Sequence, residues 1–293
     1  MDTVVLVPTY NERENLAVLV ARVLALTGFR ILVLDDASPD GTGALASQLS
    51  RQHEGRVQVI HRPRKEGLGR AYIDGMRRAL EQRPDFICQM DADGSHDVDD
   101  LPRLVAAARD CDLVIGSRYV TGGALVNWPW HRVALSRTAN AYIRAVVRIA
   151  VHDCTAGMRC WKPATLARLS LDTFSSTGYA FQVETLYRTL ALGCRVREVP
   201  ITFTERQHGA SKMDARVMLE AFALPWRLRK PASRLEPAPK RKEQDQRHAT
   251  SVHDRDTGVS TAAAVGERSA HRGGGLGSLD APAQGRARDI RST

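Results

Sequence analysis

The chain has 293 residues, with 42 Lys and Arg against 33 Asp and Glu, a net charge of +9 and an isoelectric point near 9.7. That length allows one large or two small domains, and the charge suits a phosphate-bearing partner without choosing among nucleotide, lipid headgroup and nucleic acid. Composition argues against a disulfide framework or zinc site, since Cys88, Cys111, Cys154, Cys160 and Cys194 form no Cys-x-x-Cys pair, and no window reaches the roughly 18 apolar residues of a membrane span.

No signal-peptide pattern is expected at the start, which enters a strand at once. Thr3 to Val7, Arg30 to Leu34, Arg56 to Ile60, Phe86 to Met90 and Asp112 to Ile115 read as strands rich in Val, Ile and Leu. Between them, helical spacing runs from about Glu14 to Leu26, Gly41 to Ser50, Gly69 to Gln82 and Asp99 to Ala108. Repeated strand and helix predict an α/β fold with a largely parallel sheet covered on both faces. Asn11 and Asp40 are expected helix caps, as is Asp97 or Asp99 before Leu101, and Pro8 and Pro39 mark the exits from the first two strands.

Trp128 to Ala150 reads as a loop entering an amphipathic helix whose apolar set includes Val133, Ile143, Val146 and Val147. A helix from about Tyr179 to Leu192 then precedes short strands at Val196 to Val199 and Ile201 to Thr204. Val217 to Leu228 carries Met218, Phe222, Leu224 and Trp226 and leads into Arg229 and Lys230. Two readings stay open for it, a packed helix or a segment lying in a membrane interface. Pro231 to Thr293 has no apolar periodicity and no aromatic residue, so it is expected to be a disordered tail after a catalytic domain at 1–230.

Chemistry concentrates at the strand ends. Asp91-Ala92-Asp93 follows the Phe86 to Met90 run, and alternate residues of an extended chain point the same way, so Asp91 and Asp93 can face one divalent cation clamped on phosphates. Asp35 and Asp36 end the second strand on the same sheet edge, where a carboxylate can accept from a ribose or base, and Tyr10 after the first strand can pack on that base. There is no Gly-x-Gly-x-x-Gly fingerprint after the first strand and no Walker phosphate loop, which disfavours NAD enzymes and ATPases. No interleaved aromatic and basic motif supports a nucleic-acid role.

The segments VPTYNERENL, DDASPDGTG, DADGSHDVDDLP, GSRYVTGG and ERQHGASKM, in order over about residues 3 to 230, resemble glycosyltransferase family 2 and, more narrowly, the polyprenol-phosphate mannosyltransferases of the dolichol-phosphate mannose synthase type. The resemblance implies a GT-A fold, a GDP-mannose donor, Mg2+ or Mn2+, and a polyprenyl phosphate acceptor. It implies nucleotide contacts at Pro8, Tyr10, Glu12, Leu34, Asp36 and Ala92, and a metal site at Asp91 and Asp93. Ser95, also assigned to the metal, stands where some relatives have Gln and could place a water there. For the acceptor phosphate it implies Arg118, Arg132, Ser136, Arg206 and Lys212. Arg132 and Ser136 are four apart and share a helix face, while Arg206 and Lys212 flank Gly209 in a loop suited to closing over the phosphates. Asp153 resembles a pocket element that positions acceptor or sugar.

A phosphate monoester has a second pKa near 6 and is already mostly dianionic at neutral pH, so it needs no general base to act as nucleophile. His96, His131, His152 and His208, in polar loops or at helix margins without a paired carboxylate spacing, read as surface or site-margin histidines. A single in-line displacement would invert the anomeric centre and give a β-mannosyl phosphate. Relatives that carry membrane helices do so after the catalytic domain; this chain is therefore expected to be cytoplasmic and peripheral on the cytoplasmic face of the membrane, held by Met218 to Lys230 or by a membrane-protein partner. Two alternatives stay open: the same fold using UDP-glucose or another donor, and a catalytically silent nucleotide-binding or assembly partner.

Overall fold

The computed structural model describes residues 1–174, 176, 178–205 and 222–228. The boundary expected at residue 230 and the tail lie outside them. The strands β1 (Thr3–Thr9), β2 (Phe29–Asp35), β3 (Val57–His61), β4 (Phe86–Gln89), β5 (Leu113–Ser117), β7 (Arg159–Trp161) and β8 (Val196–Pro200) form one sheet in the order β3-β2-β1-β4-β7-β5-β8. Only β7 runs against its neighbours β4 and β5. A second sheet pairs β6 (Ala124–Val126) with β9 (Thr202–Thr204) in parallel.

The side-chain period of two splits the apolar residues between two cores. Val5, Val7, Ile31 and Val33 face one layer with α1 (Arg13–Ala25), α2 (Thr42–Gln52) and α4 (Leu101–Ala108). Val4, Leu6, Leu32 and Leu34 face the other, with α3 (Leu68–Glu81), α5 (Trp130–Val147), α6 (Pro163–Arg168) and α7 (Gly178–Ala191). Buried on both faces, these strands read as continuous Val, Ile and Leu runs, which is why they were legible.

Several local expectations need correction. Asn11 does not cap α1: it sits at φ 59°, and Glu12 is the cap residue, with no side-chain capping bond to the helix backbone. Asp40 does satisfy the start of α2, its Oδ1 accepting from Thr42 N at 3.0 Å, and Asp97 accepts from Asp99 N at 3.1 Å before α4. Pro8 lies inside β1 instead of at its exit, at a position where β1 pairs with β2 but no longer with β4. β6, β7 and α6 were not anticipated; each is six residues or shorter, too short to show a period.

Residues 222–228 are helical. Leu224 is buried in the core that holds Ile143 and Val151, Phe222 stacks on Tyr142 with ring centroids 4.9 Å apart, and Phe222 and Trp226 remain exposed. This segment is therefore a packed helix that leaves two aromatic rings exposed. Among the described residues, no helix is long and apolar enough to cross a membrane.

Candidate active site

β1 and β4 lie side by side, and the chain moves from β1 outward to β2 and β3 on one hand and from β4 toward β5 on the other. Such a switch leaves a crevice beyond the carboxyl ends of the two strands, where open α/β sheets bind ligands. Tyr10 leaves β1 and Asp91 leaves β4 at that edge.

Both metal-candidate carboxylates are partly exposed there. Asp93 Oδ1 accepts from Ser95 N at 3.1 Å and Ser95 Oγ at 2.6 Å, a turn that fixes its direction. Ser95 is thus a support for Asp93 in this structure, with its hydroxyl proton committed. Gly157 closes against Asp91: a Cβ there would lie 2.9 Å from Asp91 Oδ2 and 3.2 Å from Oδ1. A glycine is what lets the loop before β7 approach the carboxylate. Among the described residues, no cluster of three or more His, Cys, Asp or Glu forms a metal cage. Two carboxylates fit Mg2+ or Mn2+ all the same, because such ions take one or two carboxylates and complete an oxygen shell with substrate phosphates and water.

His96 takes the second of its two expected places, the margin of the site. It is not a surface histidine: its side chain is 2% exposed, and its Nδ1 lies 3.3 Å from Asp91 N and 3.7 Å from Asp91 Oδ2. Tyr72, wholly enclosed on α3, belongs to the same neighbourhood. Burial first, and then the charge of Asp91, hold its hydroxyl well above the usual tyrosine range, so it stays protonated. His152 is exposed, as expected, and its Nδ1 lies 2.9 Å from Glu198 Oε2.

The nucleotide candidates divide by burial. Tyr10 sits at the crevice with Lys65 Nζ 3.8 Å from its ring centroid. Pro8 is partly exposed beside it, and Ala92 is buried between the two aspartates. Glu12 is buried, with Oε2 accepting from Asn15 Nδ2 at 2.9 Å and its backbone amide bonded to Thr42 Oγ1 at 3.0 Å. The side chain of Leu34 is committed to the core against α3, where Gly75 makes room for its methyls, so any ligand contact there falls to the main chain. Asp36 is buried and accepts from the Arg62 guanidinium, from Glu66 N at 3.2 Å and from Gly67 N at 3.0 Å. It builds the 62–67 loop that carries Lys65, a role the sequence did not announce.

The basic side is braced by acids. Arg118 gives Nε and Nη2 to the two oxygens of Asp153, each at 2.7 Å, and Nη2 also reaches Thr155 Oγ1 at 2.9 Å. Asp153, expected to position acceptor or sugar, is wholly buried beneath this arginine, so any such role runs through Arg118. Arg132 pairs with Glu205 and lies over the Trp128 ring at 4.7 Å. Ser136 Oγ accepts from Tyr119 Oη at 2.6 Å. Arg132, Ser136 and Asn140 follow each other up one face of α5, and Asn140 Oδ1 receives Cys154 N at 2.7 Å. Arg206, Lys212, Gly209 and His208 lie outside the described residues.

Under the stretch from Cys154 to Gly157 is a residue the motifs did not single out. Arg159 is fully buried and donates to Ala156 O at 3.0 Å, Cys154 O at 3.1 Å and Thr185 Oγ1 at 2.8 Å. Burial lowers its pKa to about 10, still cationic at neutral pH. It fixes the stretch that ends in Gly157 and hence the wall of the Asp91 site.

Comparison with known proteins agrees with this architecture. Residues 4–163 match the family model described as glycosyl transferase family 2. The chain is 48% identical over 222 residues to polyprenol monophosphomannose synthase of Mycolicibacterium smegmatis, covering 75% of this chain and 84% of that protein. It is 46% identical over 222 residues to undecaprenyl-phosphate mannosyltransferase of Micrococcus luteus, covering 75% and 91%. Among solved structures, glucosyl-3-phosphoglycerate synthase of Mycobacterium tuberculosis, in complex with phosphoglyceric acid, superposes with a TM-score of 0.54 at 20% identity over 77% of this chain and 80% of that one. At that identity the likeness speaks to fold alone, the GT-A arrangement anticipated from the sequence.

Proposed function

Because this chain belongs to glycosyl transferase family 2, we propose that it transfers mannose from GDP-mannose to a polyprenyl phosphate, with inversion, giving a polyprenyl β-mannosyl phosphate. The observation that carries this reading is the aspartate pair at the switch-point crevice in a chain nearly half identical to two transferases named for mannose and polyprenyl phosphates.

In this reading Tyr10 packs on the guanine, and the loop built on Asp36 brings Lys65 to the same edge. Asp91 and Asp93 hold Mg2+ or Mn2+, which when bound neutralises charge on the diphosphate leaving group. Ser95 and Gly157 keep the two carboxylates in position for it. Arg118, Arg132 and Ser136, with Arg206 and Lys212 outside the described residues, bind the acceptor phosphate and aim one of its oxygens at the anomeric carbon. A buried acid behind Arg118 keeps that guanidinium oriented before any phosphate arrives, which lowers the ordering cost of binding. The nucleophile needs no general base, and His96, tied to the Asp91 amide, is placed for support instead of proton transfer.

The lipid acceptor requires access to a membrane. We assign contact with the cytoplasmic face to the Met218 to Lys230 segment, supported by the exposed Phe222 and Trp226 rings beside Arg227; a membrane-protein partner would serve the same end.

The test is product analysis in detergent. Labelled lipid is expected from GDP-mannose and not from UDP-glucose, and proton and phosphorus NMR should show the β-anomer. A lipid product carrying the donor's α-configuration would exclude single displacement, and preference for UDP-glucose would replace the donor.

A further inference from the structure

Phe203 on β9 lies where the aspartate loop meets the acceptor-side cations. On one side the His96 ring meets it edge to face, with centroids 5.0 Å apart and planes at 84°. On the other, Trp128 meets it edge to face at 5.5 Å and 82°. The Arg118 guanidinium lies 5.3 Å from its centroid, and the Arg132 guanidinium lies over Trp128. Main-chain bonds reinforce the junction: His96 and Phe203 form an antiparallel bridge, and Thr204 N donates to Ser95 O at 3.0 Å. The strand then continues into Glu205, whose carboxylate holds Arg132 and whose amide bonds to Val126 O at 2.9 Å.

We propose that Phe203 is a positioning residue, an aromatic joint that sets the acceptor-phosphate arginines at a fixed distance from the Asp91 loop. The inference rests on the functional reading above, in which those two groups hold acceptor and donor. An aromatic ring suits the task because its edge-to-face contacts and its cation contacts are directional, whereas an aliphatic side chain fills space without orienting its neighbours. The aspartate loop has main-chain and Ser95 bonds of its own, and Glu205 holds the Arg132 guanidinium, while the Trp128 ring beneath that guanidinium meets Phe203 edge to face. Loss of the ring therefore falls on the acceptor side.

The experiment uses the full chain with Phe203→Leu, Phe203→Tyr and Trp128→Leu. Donor binding is measured by calorimetric titration of GDP-mannose with Mn2+, and acceptor KM by transfer to polyprenyl phosphate in detergent. Two aromatic pairs and a cation contact are together worth enough for about a tenfold rise in acceptor KM in Phe203→Leu. Donor Kd should stay within about twofold, an effect at the size of ordinary surface changes. Phe203→Tyr should restore the acceptor KM, and Trp128→Leu, on the far side of the joint, should reproduce the defect should Phe203→Leu fail to fold. An unchanged acceptor KM in both leucine variants, or equal losses of donor and acceptor affinity, would overturn the joint. Transfer absent from the unaltered protein would instead remove the functional reading and the joint with it.

Discussion

Asp153 takes Arg118 through both of its oxygens, at 2.7 Å each, with the carboxylate wholly buried and the guanidinium nearly so. Removing one partner of such a pair leaves an uncompensated charge in the interior, at a cost of about 3 to 5 kcal/mol. Asp153→Ala should therefore lower stability to urea by that order and abolish transfer. Arg118→Met combined with Asp153→Ala should regain part of the stability and none of the activity. Full activity in the double variant would show that Arg118 does not serve the acceptor.

Gly157→Ala separates site geometry from fold. The backbone at Gly157 is open to other residues, yet the new methyl would press on Asp91 Oδ2 from 2.9 Å. Displacing a ligand through its support commonly costs about 10- to 100-fold in metal affinity. The half-saturating Mn2+ concentration for transfer should rise on that scale while the melting temperature barely moves. A normal metal requirement would mean that Asp91 is not a ligand.

Much of the site was legible because its chemistry is local in sequence. Asp91 and Asp93 adjoin one buried strand, and Arg132 and Ser136 share one helical turn. What escaped was set by contacts between distant segments. His96 looks like a loop histidine until β9, over a hundred residues later, buries it. Asp36 and Arg62 meet across two strand ends, and Arg159 is internal only because β7 inserts antiparallel between β4 and β5. No spacing within a segment announces such pairings; a fully enclosed arginine is rare enough that sequence reading places it on the surface.

The thiols provide a check on the core. All five cysteines are free and buried, and burial pushes the Cys154 thiol up to about 12. Since the thiolate is the reactive form, an aromatic disulfide reagent at pH 8 should label none of them in the native protein and five after denaturation. Rapid labelling of any one without unfolding would contradict the described packing.

An acid-range prediction concerns Asp2, which receives Arg30 Nε at 2.7 Å and Nη2 at 2.6 Å. The Arg30 hydrogen bond, opposed by partial burial, holds its carboxyl below the ordinary 3.8. A depressed folded pKa gives stabilisation that is complete above the unfolded value and is lost as pH falls through the folded one. Asp2→Asn should cost up to about 1 kcal/mol at pH 7, as a partly exposed pair allows, and the difference should shrink steadily below pH 3.8. A difference independent of pH would assign the effect to shape instead of charge.

The proposed function places metal-dependent mannosyl transfer to a lipid phosphate at the Asp91 and Asp93 crevice. It is tested most directly by incubating the protein with labelled GDP-mannose and a polyprenyl phosphate in detergent, with Mn2+ or with chelator, beside Asp93→Ala. Labelled lipid should appear with metal, disappear with chelator and be lost in a folded Asp93→Ala. Labelled lipid formed equally by the variant, or in the presence of chelator, would contradict it.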